Sequence, residues 1–135
     1  MVNQTPAGRW FRRVTAVAIA SNVVAALMLL AAPSTMLAMA GLPTAKTDLW
    51  PRLAAWQIVI LSLFYLPAAV DIDRYRAVAW LVVASHLAGG LFFMFEPAYR
   101  LFGYYDFAFA MPLAVLLLLA VRGERSGASV SVATL

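Results

Sequence analysis

The chain contains no cysteine, a single histidine (His86) and few charges, with only 12% of its 135 residues being Asp, Glu, Lys or Arg. Without cysteine there is no disulfide, no thiolate metal site and no cysteine nucleophile. One histidine excludes a bis-histidine haem, leaves only an unsupported His–Met pairing, and supplies too few ligands for zinc. A phosphate-binding G-x-x-x-x-G-K loop is also missing, because the Gly89–Gly90 pair falls inside an apolar run. The shortage of charge carries further. Soluble domains run at about 25% charged and about 45–50% apolar residues, whereas this chain is 64% hydrophobic. A water-facing fold of this length has too little interior for so many apolar groups, so lipid is the expected solvent. The formal net charge of +4 does not point to nucleic acid, since the basic residues form no cluster. No metal, cofactor or nucleic acid is therefore expected, and the partner that the composition names is the lipid bilayer.

What is present is a set of long apolar stretches. A hydrocarbon core of roughly 30 Å requires about 20 apolar residues in a helix. Spans are expected at about 14–32, 53–70, 77–95 and 103–121, giving an all-α, membrane-spanning four-helix bundle. The last span reaches that length only if its helix begins near Leu101, which draws Asp106 into its first turns. The stretch from Pro33 to Pro43 is apolar but too short to cross, and reads as an interfacial or re-entrant piece. Met111-Pro112 is a candidate kink in span four. The polar end, 126–135, reads as a flexible tail. Arg12-Arg13 followed by an apolar run resembles a signal peptide, but the run of Val14 to Ala32 exceeds the usual length of a signal core, so it is read as a span.

Charge placement sets the expected orientation. Arg9, Arg12, Arg13, Arg74, Arg76, Arg122 and Arg125 lie on one side of the spans, and Lys46, Arg52 and Arg100 on the other. The positive-inside rule then puts both termini in the cytoplasm of a cell-membrane protein. Trp10, Trp50, Tyr75, Trp80 and Tyr99 stand near span ends, where amphipathic rings favour the interface. Asp71 and Asp73 suit the start of span three, where a carboxylate can cap free amides.

Polar groups at membrane depth are the candidate functional residues, because an ionisable side chain there normally faces the bundle interior. His86 shares one helical face with Gly89 and Gly90, a pattern that suits a close helix–helix seam. Asn22, Ser62 and His86 fall at similar depth, and with Tyr65 they form a candidate ligand-binding cluster. Such groups more commonly hold helices together than bind a ligand. Glu96 and Asp106, with His86, are candidate acid–base residues, although sequence does not fix their separation. The bland reading of Glu96 is an ion pair with Arg100, four residues on, interrupted by Pro97.

The basic opening "GRWFRR", the proline-bounded loop "AAPSTMLAMAGLP" and the run "DIDRYRAVAW" ahead of "SHLAGGLFF" resemble the small four-helix DoxX-like integral membrane proteins. That resemblance implies an accessory role beside a larger membrane partner and transfers no catalytic residue. Two functions follow for testing. The first is a structural or accessory subunit, with a second copy or a larger membrane protein as partner. The alternative is a membrane-embedded enzyme or binder for a lipophilic small molecule. A cavity reaching His86 or Asp106 discriminates between them.

Overall fold

The structure is a computed structural model that describes residues 5–43 and 45–132, with side chains described as far as Gly123. Its helices are α1 (Pro6–Ala31), α2 (Pro33–Met39), α3 (Leu49–Val70), α4 (Arg76–Met94) and α5 (Arg100–Val132), and a 3-10 turn, Pro97–Tyr99, joins the last two. Four helical segments are long and apolar enough to cross a membrane, with α2 the short exception. This is an all-α four-helix bundle of a membrane protein. Helix α5 continues into the segment read as a tail, and residues 133–135 lie outside the described residues.

Helix α1 starts well before the expected span, so Arg9, Arg12 and Arg13 lie in its early turns. Its start follows from Thr5-Pro6. The Thr5 hydroxyl accepts the Gly8 amide at 3.1 Å, and Pro6 occupies a position whose N–H has no helical partner anyway. Arg12 then serves another helix: its Nε donates to the Ala69 carbonyl at 2.9 Å. That carbonyl belongs to the last turn of α3, where backbone acceptors lack intrahelical donors and a cation suits the helix dipole. The expected cap by Asp71 takes a different form. Its Oδ1 accepts the amides of Asp73 and Arg74 at 3.1 and 3.0 Å, fixing the turn between α3 and α4. No side chain caps α4 itself.

Each long helix buries a narrow stripe at helical spacing. On α1 it runs through Phe11, Thr15, Ala18 and Ala26, and on α4 through Ala79, Val82, Val83, His86 and Gly90. Many stripe residues are small, which lets backbones approach where lipid removes the hydrophobic drive between helices. Outward-facing Leu, Val, Trp and Phe remain exposed, as a hydrocarbon solvent permits. The helices form a ring in the order α1, α3, α4, α5. The α1–α3 and α4–α5 sides are extensive, and the α3–α4 side is the least. The packed core gathers at the end that holds the α3–α4 turn, around Phe11, Tyr65, Ile72, Val82, Leu113 and Leu117. The other end, towards α2 and the 3-10 turn, is hollow.

Candidate functional site

The hollow is a cavity of about 1170 Å³, reaching from the loop after α2 down to the middle of the bundle. Its upper walls are apolar and aromatic, with Leu37, Leu42, Trp50, Ile58, Phe93 and Phe102 among them. Its floor is polar and draws on three helices: Tyr65 of α3, Ser85 and His86 of α4, and Tyr105 and Asp106 of α5, with Asn22 of α1 beside them. Ligand sites typically measure about 300–1,000 Å³, apolar with a few convergent polar groups. This one is slightly larger and has that pattern.

The centre of the floor is a pair. His86 Nδ1 lies 2.8 Å from Asp106 Oδ1, and the two side chains are 4% and 17% exposed. With Asp106 ionised the carboxylate only accepts, and Nδ1 would then carry the proton between them. The imidazole is held between the ring of Phe109, stacked at 5.7 Å, and that of Tyr65, tilted at 5.8 Å. Its Nε2 is buried with no hydrogen-bond partner. Beneath lies a second bond, from the Tyr65 hydroxyl to Ser85 Oγ, which in turn donates to the Val82 carbonyl at 3.0 Å. On the α1 side, the Tyr105 hydroxyl donates to Asn22 Oδ1 at 2.8 Å and lies 2.6 Å from Ser21 Oγ, which donates to the Ala18 carbonyl.

The glycines explain how a carboxylate reaches this depth. A Cβ at Gly89 would overlap Asp106 Oδ2 and lie 3.2 Å from its Cγ. The bare Cα of Gly89 is therefore the seat of the carboxylate. Gly90 receives the Phe107 ring, and Gly103 of α5 faces the Gly90 carbonyl and Met94. The expected seam along His86, Gly89 and Gly90 is thus the α4–α5 contact, and one residue of it makes room for the buried charge.

The structure regroups the sequence-derived candidates. His86, Tyr65 and Asn22 all line the cavity, as expected of a cluster, but they are linked through Asp106, Ser85 and Tyr105 instead of to one another. Ser62 stays outside the cavity and donates to the carbonyl of Ile58 in its own helix at 2.8 Å. Glu96 is exposed just ahead of the 3-10 turn, where its carbonyl accepts the Tyr99 amide. Pro97 opens that turn, and among the described residues no ion pair joins Glu96 to Arg100. Tyr105, Ser85 and Ser21 were not singled out by sequence reasoning. No group of three or more His, Cys, Asp or Glu close enough to hold a metal occurs among the described residues. Comparison with protein-family models, with curated proteins and with solved structures finds no match to this chain.

Proposed function

We propose that this membrane protein binds a lipophilic small molecule, whose apolar body lies between the aromatic upper walls and whose polar head meets the His86–Asp106 floor. The observation that carries this reading is the cavity itself, walled by hydrocarbon and floored by a hydrogen-bonded ionisable pair. A subunit whose polar residues served only to hold helices together would close its packing over them. Here the polar floor faces an open volume, and α3 and α4 touch least of the adjacent long helices, so a molecule dissolved in the bilayer would enter between them. Accessory-subunit function and the DoxX-like likeness stand as the competing proposal, supported by span order and the short segment after α1. The reading includes a cell-membrane location with both termini cytoplasmic, on the strength of the arginine bias.

The test is occupancy. The protein is purified from its membrane in mild detergent, and bound small molecules are extracted and identified by mass spectrometry beside an Ala54→Trp variant. Ala54 lines the cavity, so an indole there projects into it and obstructs the apolar part. The wild type should retain a near-stoichiometric lipophile that the folded variant has lost. Equal retention by both, or none in either, refutes the binding reading, and a stoichiometric larger protein in its place favours the accessory subunit.

A further inference from the structure

The binding reading leaves open which head group the floor accepts, and a count of its protons decides this. Ser85 spends its hydroxyl proton on the Val82 carbonyl, so the Tyr65 proton must go to Ser85. Ser21 and Tyr105 have two hydroxyl protons for three contacts, to the Ala18 carbonyl, to Asn22 Oδ1 and to each other, so neither has a proton to spare. The Nδ1 proton of His86 lies on Asp106. Each hydroxyl carries one proton and two lone pairs, and a carboxylate carries lone pairs alone. With His86 neutral, the hydroxyl and imidazole donors of the floor are therefore spent on the protein, while acceptors remain, the buried Nε2 of His86 among them. Asp106 Oδ2 is the foremost of these, since it bears no hydrogen bond and its side chain is the more exposed of the ionisable pair. Among the described residues, the Asn22 amide beside the floor is left as an uncommitted donor.

Charge points the same way. Among the described residues no Lys or Arg lines the cavity, so an anionic head such as a phosphate or carboxylate meets Asp106 without a lining Lys or Arg beside it. Tyr99 and Tyr104 also line the cavity, and aromatic rings attract cations. We infer that the site takes a lipophilic amine: an ammonium head donating to Asp106 Oδ2, with a hydrocarbon or aromatic body lying in the upper cavity. This rests on the binding reading, and the experiment separates the failure of one from the failure of the other.

The protein is placed in phosphatidylcholine nanodiscs and dialysed against radiolabelled decylamine, with empty nanodiscs to subtract partition into the bilayer. An alkylamine is protonated at neutral pH, as a lysine is. Decanol and decanoate, with the same tail, compete against it. Decylammonium should bind above the empty-disc level, and decanol should compete about tenfold less well, the step expected of a charge-assisted hydrogen bond over a neutral one. Decanoate should not compete. In Asp106→Asn the preference for amine over alcohol should fall by about tenfold or more, with alcohol binding retained. Decanol or decanoate binding as well as the amine in the wild type overturns the head-group assignment while leaving the cavity as a binding site. Neither amine nor alcohol binding overturns both. The wild-type order of the three heads stands without any variant, so a misfolded Asp106→Asn does not remove the test.

Discussion

The seat of the Asp106 carboxylate on Gly89 can be tested by a single methyl group. In Gly89→Ala the new Cβ lies in the space of Oδ2 and 3.2 Å from Cγ. Two responses are open to the protein. The carboxylate can stay, with the helices strained apart, which for overpacked interiors costs about 1–3 kcal/mol. It can instead swing away, giving up the 2.8 Å bond to His86. A hydrogen bond to a charged group is worth about 1.5–3 kcal/mol. These are alternatives and do not add, so the loss at the contact itself is about 2 kcal/mol, roughly thirtyfold in the folding equilibrium. Alanine is otherwise the better helix residue by about 0.8–1 kcal/mol, so the steric term shows only against that gain.

A double-mutant cycle removes the ambiguity. In an Asp106→Ala background the carboxylate is gone, and Gly89→Ala should become neutral or stabilising by about the helix-propensity difference, up to 1 kcal/mol. Reversible unfolding of the four proteins in mixed micelles, followed by far-UV circular dichroism as the denaturing detergent fraction rises, measures the coupling. A coupling of about 2 kcal/mol is expected for groups in direct contact. If Gly89→Ala costs the same in both backgrounds, the carboxylate does not rest on Gly89. The account of how a charged group is accommodated between α4 and α5 then fails.

Three further outcomes follow from single contacts. Gly103→Ala brings a Cβ to 3.1 Å from the Gly90 carbonyl, a backbone atom with nowhere to go, and should cost about 1–3 kcal/mol in the same micelle titration; a neutral result means the helices cross less closely than described. Thr15→Val and Ser62→Ala should each lie within about 0.6 kcal/mol of wild type, since Thr15 Oγ1 is buried without a partner and Ser62 bonds only its own helix. Loss of 2 kcal/mol or more at Ser62 would return it to the polar cluster. The absence of cysteine makes topology directly readable: an impermeant maleimide on intact cells should label Lys46→Cys and spare Arg74→Cys, and the reverse pattern overturns the charge-based orientation.

The spans were legible because lipid imposes a length on them. α3 and α4 match the sequence reading closely, since an apolar run bounded by charge admits few other endings. The start of α1 was equally signalled, by Thr5-Pro6, but hydropathy alone overlooks it because the first turns carry arginines. The pairing of His86 with Asp106 was not read, although a geometric signal existed. The two residues are equidistant from Glu96, which stands in the connection between α4 and α5. Helices rise equally per residue on both arms of an antiparallel hairpin, so equidistant residues meet at one depth. The same symmetry places Val82 opposite Ala110, both buried. Sequence places Asp106 in the first turns of its span beside Tyr104 and Tyr105, and does not show that Tyr105 faces inwards to Asn22. Ser62 failed as a cluster member for a different reason: a serine in a helix can satisfy itself on the preceding turn, and depth does not reveal whether it has done so.

The division of the bundle into a packed end and a hollow end has a physical cause. Lipid tails are as apolar as leucine, so helices gain little by burying apolar surface against each other, and dispersion with polar bonds must hold them. Dispersion is concentrated where the short α3–α4 turn, the Arg12–Ala69 bond and the Phe11 cluster tie the four long helices together, and the other side-chain bonds between helices lie at the cavity floor. At the other end the connections pass through α2 and the 3-10 turn, and among the described residues no side-chain hydrogen bond joins α3 to α4 beyond the Tyr65–Ser85 bond at the floor. An empty hollow there would forfeit the dispersion contacts of its lining, so hydrocarbon from the bilayer or from a ligand is its natural content. Hydrocarbon alone satisfies the walls but leaves Asp106 Oδ2 without a donor in a low-dielectric setting, where an unanswered acceptor is costly. A molecule with both a tail and a donating head answers both parts of the cavity. Because Gly89 and His86 fix the carboxylate before anything binds, the acceptor stands ready without rearrangement, which is the condition under which one hydrogen bond yields selectivity between head groups.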